Sequence, residues 1–161
     1  FDSQVINKVA TLLAALKNPQ LVFSVNLSEQ FFAKDHIPEF LDGIISAHQI
    51  SPSQFIFELS ELYIVRNMEK LLPIVAELTQ RGFRFAIDDF GSGFSSFNYI
   101  KQFPAHFLKI DRSLIEPVCV DNIARVTVRA IVEIAAEMNM RTIAKCVTDE
   151  KSIALLRERV K

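Results

Sequence analysis

Two adjacent carboxylates stand where an apolar strand runs out. Within residues 83–96 (FRFAIDDFGSGFSS), Asp88 and Asp89 follow Phe85, Ala86 and Ile87 and precede a loop of glycine and serine. Neighbouring strand residues point to opposite faces, so the two carboxylates part unless the backbone turns there. Gly91 and Gly93 are the expected source of that turn, since glycine takes positive φ freely. Carboxylates brought together share a proton or a divalent cation with oxygen ligands. The competing reading is a solvated acidic turn at a surface strand end, and the pair alone does not choose.

The other polar residues at predicted strand ends raise the same question. Asn26 falls near the end of LVFSVNL at 21–27, Glu58 near the end of QFIFEL at 54–59, Lys109 and Asp111 close FLKID at 107–111, and Lys145 follows RTIA at 141–144. Each also has a plain structural alternative. Asn26 could satisfy backbone groups, Glu58 could pair with Arg84, and Lys109 could neutralise Asp111.

Those strands need elements to carry them. Val5, Ile6, Val9, Leu12, Leu13 and Leu16 repeat with a helical period over 2–17, and Asn18-Pro19 stops the helix. LVFSVNL reads as a strand buried on both faces. Pro38 opens a second helix, and Asn67 is the expected N-cap of a third through Arg81, with Pro73 predicting a kink and Gly82 the stop. A short helix over 95–102, a long one over 121–138 and a final one over 149–160 complete the alternation. Strands too apolar to have a wet face, alternating with helices, imply a parallel sheet covered by helices.

Polar residues collected at the C-terminal ends of successive strands are the pattern of the upper face of a TIM-like (β/α)8 barrel. An open doubly wound sheet would need a phosphate-binding glycine loop after its first strand, which the sequence lacks. Five strands predict an incomplete barrel without its first and last strands, residues 1–161 being the central portion of one domain. Open edges then predict closure by other means or pairing with another copy.

The chain has 161 residues, half of them hydrophobic, and a formal charge of -1, which argues against a broad DNA or RNA surface. No apolar run is long enough to span a bilayer. Cys119 and Cys146 match no metal spacing and read as reduced thiols of a cytoplasmic protein. His36, His48 and His106 read as structural or surface residues. Asp89-Phe90-Gly91 spells the DFG of protein kinases, but the glycine-rich and catalytic loops of that family are missing.

The runs SVNLS at 24–28, FELSE at 57–61, DDFGSGFSS at 88–96 and LKIDRS at 108–113 together resemble the EAL-type domains that bind and hydrolyse cyclic di-GMP. The resemblance implies a modified TIM barrel using two Mg2+ or Mn2+ ions to cleave one phosphodiester and yield pGpG. By this resemblance Asn26, Glu58, Asp88 and Asp89 match metal ligands. Lys109 matches the lysine beside the attacking water and phosphate, Asp111 a ligand-binding residue, and Glu61 resembles the glutamate that steadies the loop after the paired aspartates. Implied partners are cyclic di-GMP, a homodimer mate and other domains of a parent protein; Phe94 and Phe97 are candidates for apolar contact or for ordinary core packing.

The resemblance also exposes departures. The glutamate-alanine-leucine motif and a glutamine expected near the C-terminus are absent. Where catalytic members read A-E-G-V-E, this chain reads Ala144-Lys145-Cys146-Val147-Thr148. Five carboxylates and one lysine, formally -4, would balance two divalent cations. Glu58, Asp88, Asp89 and the glutamate of the absent motif against Lys109 and Lys145 leave -2, enough for one ion. Lys145 is therefore read as a disabling substitution. The expected function is a degenerate domain that recognises cyclic di-GMP as a receptor or regulatory module with little or no hydrolysis. The alternatives are an active phosphodiesterase in which Glu150 or another acid substitutes, and a protein-interaction module that binds no nucleotide.

Overall fold

The computed structural model describes residues 1–93 and 99–159. The candidate contacts Phe94 and Phe97, and residues 95–98 of the helix expected over 95–102, lie outside the described residues, while 99–102 form turns rather than helix. Five strands, β1 (Phe23–Asn26), β2 (Phe55–Ser60), β3 (Arg84–Phe90), β4 (Phe107–Ile110) and β5 (Arg141–Ala144), form one sheet in the order of the chain, every neighbour parallel. Helices α1 (Asp2–Leu16), α2 (Ile37–His48), α3 (Glu61–Gln80), α4 (Arg112–Ile115), α5 (Asn122–Glu137) and α6 (Glu150–Arg159) connect or flank them. Parallel neighbours require crossovers, and α3 supplies one by packing against both β2 and β3. No helix among the described residues is long and apolar enough to cross a membrane.

The two sheet faces differ because strand residues alternate. Val25, Phe57, Leu59, Phe85, Ile87, Leu108 and Ile110 point into the main core beneath the helices. Phe57 anchors it, with ring centroids 5.5 Å from Phe83 and 5.8 Å from Phe85; a fully buried side chain of this size contributes about 1.5–3 kcal/mol. The opposite face carries a small apolar cluster of Ile56, Ala86 and Phe107, and Arg84 stacks on Phe107. This is the inner face of the barrel-like curve. There Ser24 and Asn26 of β1 are exposed and Ile143 of β5 is partly so. The strand read as buried on both faces therefore has one wet face, because it is an edge strand whose inner side lies open.

The third helix starts earlier than its sequence suggests. Ser60, not Asn67, is the N-cap, accepting a hydrogen bond from Tyr63 N–H at 3.3 Å. Asn67 instead marks a break inside α3, with φ -127° and ψ 22°. The early start places Glu61 on the first helical turn, directly beside the end of β2. His106 is structural as expected: its backbone N–H donates to Phe85 O at 2.8 Å, and its Nδ1 lies 3.3 Å from Phe85 N–H.

Candidate functional site

Polar side chains from the ends of β2, β3, β4 and β5 meet on the inner rim, beside Asn26 at the end of β1. Asn26 ends β1 in register with Glu58 of β2, and Ser60, two residues on, is in register with Asp88 of β3. At β3 the pairing slips: Ile87 faces Leu108 and Phe90 faces Ile110, so Asp88 and Asp89 together oppose Lys109. Two residues against one is a bulge, a device that re-aims side chains at sheet rims. Asp89 takes φ 55°, the left-handed region that aspartate tolerates better than most residues. The turn that brings the carboxylates together thus begins at Asp89 itself, ahead of the glycines expected to make it. Gly91 follows at φ 88°, and a Cβ there would lie 2.6 Å from Leu114 Cδ1.

Two ammonium groups lace these carboxylates. Lys109 Nζ donates to Glu58 Oε2 at 2.5 Å and lies 3.5 Å from Asp88 Oδ1. Lys145, just past β5, donates to Asp88 Oδ1 at 2.8 Å and to Asp89 Oδ1 at 2.5 Å. Glu58 is only 5% exposed, and Lys109 is the cation paired with it. Neither local alternative from the sequence occurs: Arg84 donates to Ser53 O rather than pairing with Glu58, and Asp111 is engaged elsewhere. Asp111 caps α4, accepting from Ser113 N–H at 2.9 Å; burial pushes its carboxyl up, and the Ser113 bonds, the Arg112 N–H and the Lys145 charge outweigh burial and hold it below its ordinary range.

Burial pushes the Lys145 ammonium down, but its bonds and charge contacts with Asp88 and Asp89 outweigh burial and raise it above its ordinary range. It stays charged at any physiological pH. Burial likewise pushes Asp88 up, and the Lys145 bond, the Asp89 N–H and the charges of Lys109 and Lys145 overcome it and hold the carboxyl below its ordinary 3.8. A depressed carboxyl adds stability above its unfolded value and loses it as pH falls through the folded one. We expect the urea midpoint to fall once pH drops below about 4. Asp88→Asn should flatten part of that fall in the same pH series.

Glu61 is 4% exposed and sits outside this lacework. Its Oε2 accepts from Gly91 N–H at 2.9 Å and its Oε1 from the Tyr99 hydroxyl at 3.0 Å. Tyr99 was not among the residues singled out from sequence. Its signal was available in kind only, since a buried tyrosine hydroxyl needs a partner and the sequence does not say which.

Asn26, Glu58, Asp88 and Asp89 are oxygen donors of the sort that hard divalent cations take. As folded, however, all three carboxylates are engaged by ammonium groups, and Lys145 fills the place between Asp88 and Asp89. Among the described residues, no group of three or more His, Cys, Asp or Glu is arranged to hold a metal ion. The donor set with Lys145 in it does not fit a pair of dications.

Comparison with known proteins places the chain. A family model for the EAL domain matches residues 1–159. The bifunctional diguanylate cyclase/cyclic di-GMP phosphodiesterase MucR of Pseudomonas aeruginosa is 35% identical over 127 residues, covering 79% of this chain and 18% of that protein. The cyclic di-GMP phosphodiesterase PdeA of Borreliella burgdorferi is 34% identical over 135 residues, covering 84% of this chain and 20% of that protein. The chain therefore spans about a fifth of the length of these relatives. A solved structure of the PaMucR phosphodiesterase in complex with c-di-GMP superposes with a TM-score of 0.89 at 29% identity, covering 98% of this chain and 65% of that one. The TIM-like architecture inferred from the strand ends is the architecture of these neighbours, and this chain belongs to the EAL domain family.

Proposed function

We propose that this EAL domain serves as a receptor or regulatory module for cyclic di-GMP, with little or no hydrolysis of its own. One observation carries the reading: the Lys145 ammonium bridges Asp88 and Asp89, the two adjacent carboxylates on which metal ligation would centre. Glu58, Asp88 and Asp89 against Lys109 and Lys145 sum to -1, and to -2 with the glutamate of the expected glutamate-alanine-leucine motif, too little to balance two divalent cations. A cation beside Lys145 within a few ångströms would meet a repulsion on the order of 4 kcal/mol per unit charge at 4 Å and an effective dielectric of about 20.

The same substitution suits recognition. An ammonium has three donors, and Lys145 uses two on the carboxylates, leaving one for a phosphodiester oxygen. Lys109, beside it, adds a second positive charge. Protein of full natural length, titrated with cyclic di-GMP at equilibrium, should bind it equally in Mg2+ and in EDTA and should form pGpG only at background rate. Turnover at enzymatic rates with Mg2+ or Mn2+ would overturn the reading. A folded protein that binds no nucleotide would leave a protein-interaction module instead.

The rival within the family is an active phosphodiesterase, the activity named for the relatives above. It needs another acid to replace the one Lys145 displaced. Glu150, the sequence candidate, stands exposed in the first turn of α6.

A further inference from the structure

We propose that Tyr99 is a positioning residue for the Asp88–Asp89 pair, acting through Glu61. Of Glu61 and Tyr99, the resemblance to the family assigns a role only to Glu61. The structure shows its two carboxylate oxygens divided between two points of the chain: Oε2 takes the N–H of Gly91, and Oε1 the hydroxyl of Tyr99. Gly91 is two residues beyond Asp89, and Ser92 N–H donates to Asp89 O at 3.3 Å. The backbone that holds the carboxylate pair in its bulge is thus tied to Glu61 at its first residue beyond the strand.

Glu61 needs both ties. It sits at the start of α3, where the helix N-terminus favours a negative charge, and it is almost wholly buried. A buried carboxylate oxygen without a donor is costly, so the side chain keeps this rotamer only while both oxygens are satisfied. Tyr99 is itself held: it is 9% exposed, burial and the Glu61 charge keep its hydroxyl protonated, and its carbonyl accepts from Gln102 and Phe103. Without the hydroxyl, Glu61 Oε1 is orphaned, Glu61 turns toward water, and Gly91 loses its acceptor. Asp89, in a left-handed conformation that depends on the flanking chain, then loses its fixed aim.

Tyr99→Phe keeps the ring in the core and removes only the hydroxyl, so it separates positioning from packing. In nucleotide-free protein of full natural length, the Gly91 amide should exchange with deuterium about tenfold faster, while Phe85 and Ile87 amides in β3 are unchanged. Added to Glu61→Ala, which removes the whole tie and keeps the proposal testable should one variant fold poorly, Tyr99→Phe should add nothing further. Cyclic di-GMP affinity should fall about threefold to tenfold in Tyr99→Phe.

Unchanged exchange at Gly91, equal loosening of the β3 amides, or additive effects of the two variants would overturn the proposal, since each marks a packing role. Faster exchange with unchanged affinity would also overturn it, because the tie would then exist without aiming the pair. The affinity arm rests on the proposed function. If the unmodified protein binds no cyclic di-GMP, that function fails, and the exchange arm still decides whether Tyr99 fixes Gly91 through Glu61.

Discussion

On the proposed receptor reading, replacing Lys145 with glutamate should raise cyclic di-GMP hydrolysis from background to a metal-dependent phosphodiesterase activity. Counting the glutamate of the expected glutamate-alanine-leucine motif, the rim of the unmodified protein holds four carboxylates against two ammonium groups, a sum of -2; Lys145→Glu gives five carboxylates against Lys109 alone, a sum of -4, which two divalent cations balance. The cation between Asp88 and Asp89 is removed, and the charge left behind favours divalent ions in its place. Cleavage of cyclic di-GMP to pGpG in Mn2+ or Mg2+, followed by chromatography, should rise about 100-fold or more, equivalent to roughly 3 kcal/mol of barrier.

A second readout does not depend on chemistry. In metal-free buffer the variant should melt lower than the parent, because adjacent carboxylates have lost their counter-charge. Added Mn2+ should then raise the melting temperature of the variant and leave the parent unmoved, since a ligand stabilises only the state that binds it. Equal turnover in both proteins would mean that Lys145 does not silence the site, and the active-enzyme reading would take over.

The second large effect is on stability. Lys109→Met should lower folding stability by about 3 kcal/mol, because it strands Glu58 as a buried charge whose partner at 2.5 Å has gone. Urea unfolding should show the midpoint falling by about 1–2 M at unchanged slope. Glu58→Gln combined with Lys109→Met should recover much of the loss, since a neutral buried amide is cheaper than an unpaired carboxylate. Lys145→Met should cost less, because Asp89 is about half exposed and water can replace the ammonium there. A Lys109→Met protein as stable as the parent would show that the Glu58 charge is solvated despite its burial.

Much of the scaffold was legible in the chain. Strand positions followed from short apolar runs ending on polar residues, and the parallel sheet followed from their alternation with amphipathic helices. The misreadings have physical causes. Asn67 looked like a helix start because it is a good cap, but Ser60 caps the helix seven residues earlier, where the end of β2 already fixes the chain. The wet inner face of β1 was hidden because LVFSVNL is apolar in composition, whereas exposure depends on which strands lie beside it.

The rim divides in the same way. That Asn26, Glu58, Asp88, Asp89, Lys109 and Lys145 stand at strand ends was set by the chain itself, since strand length and periodicity are local properties and each polar residue comes where an apolar run stops. Which oxygen each ammonium takes was decided only in three dimensions. Lys145 reaches Asp88 and Asp89 across 57 and 56 residues of sequence, through a bulge and a left-handed aspartate that no local pattern announces. The Tyr99 tie to Glu61 likewise spans 38 residues. Such pairings depend on strand register and on the curve of the sheet, which arise only when the whole core packs.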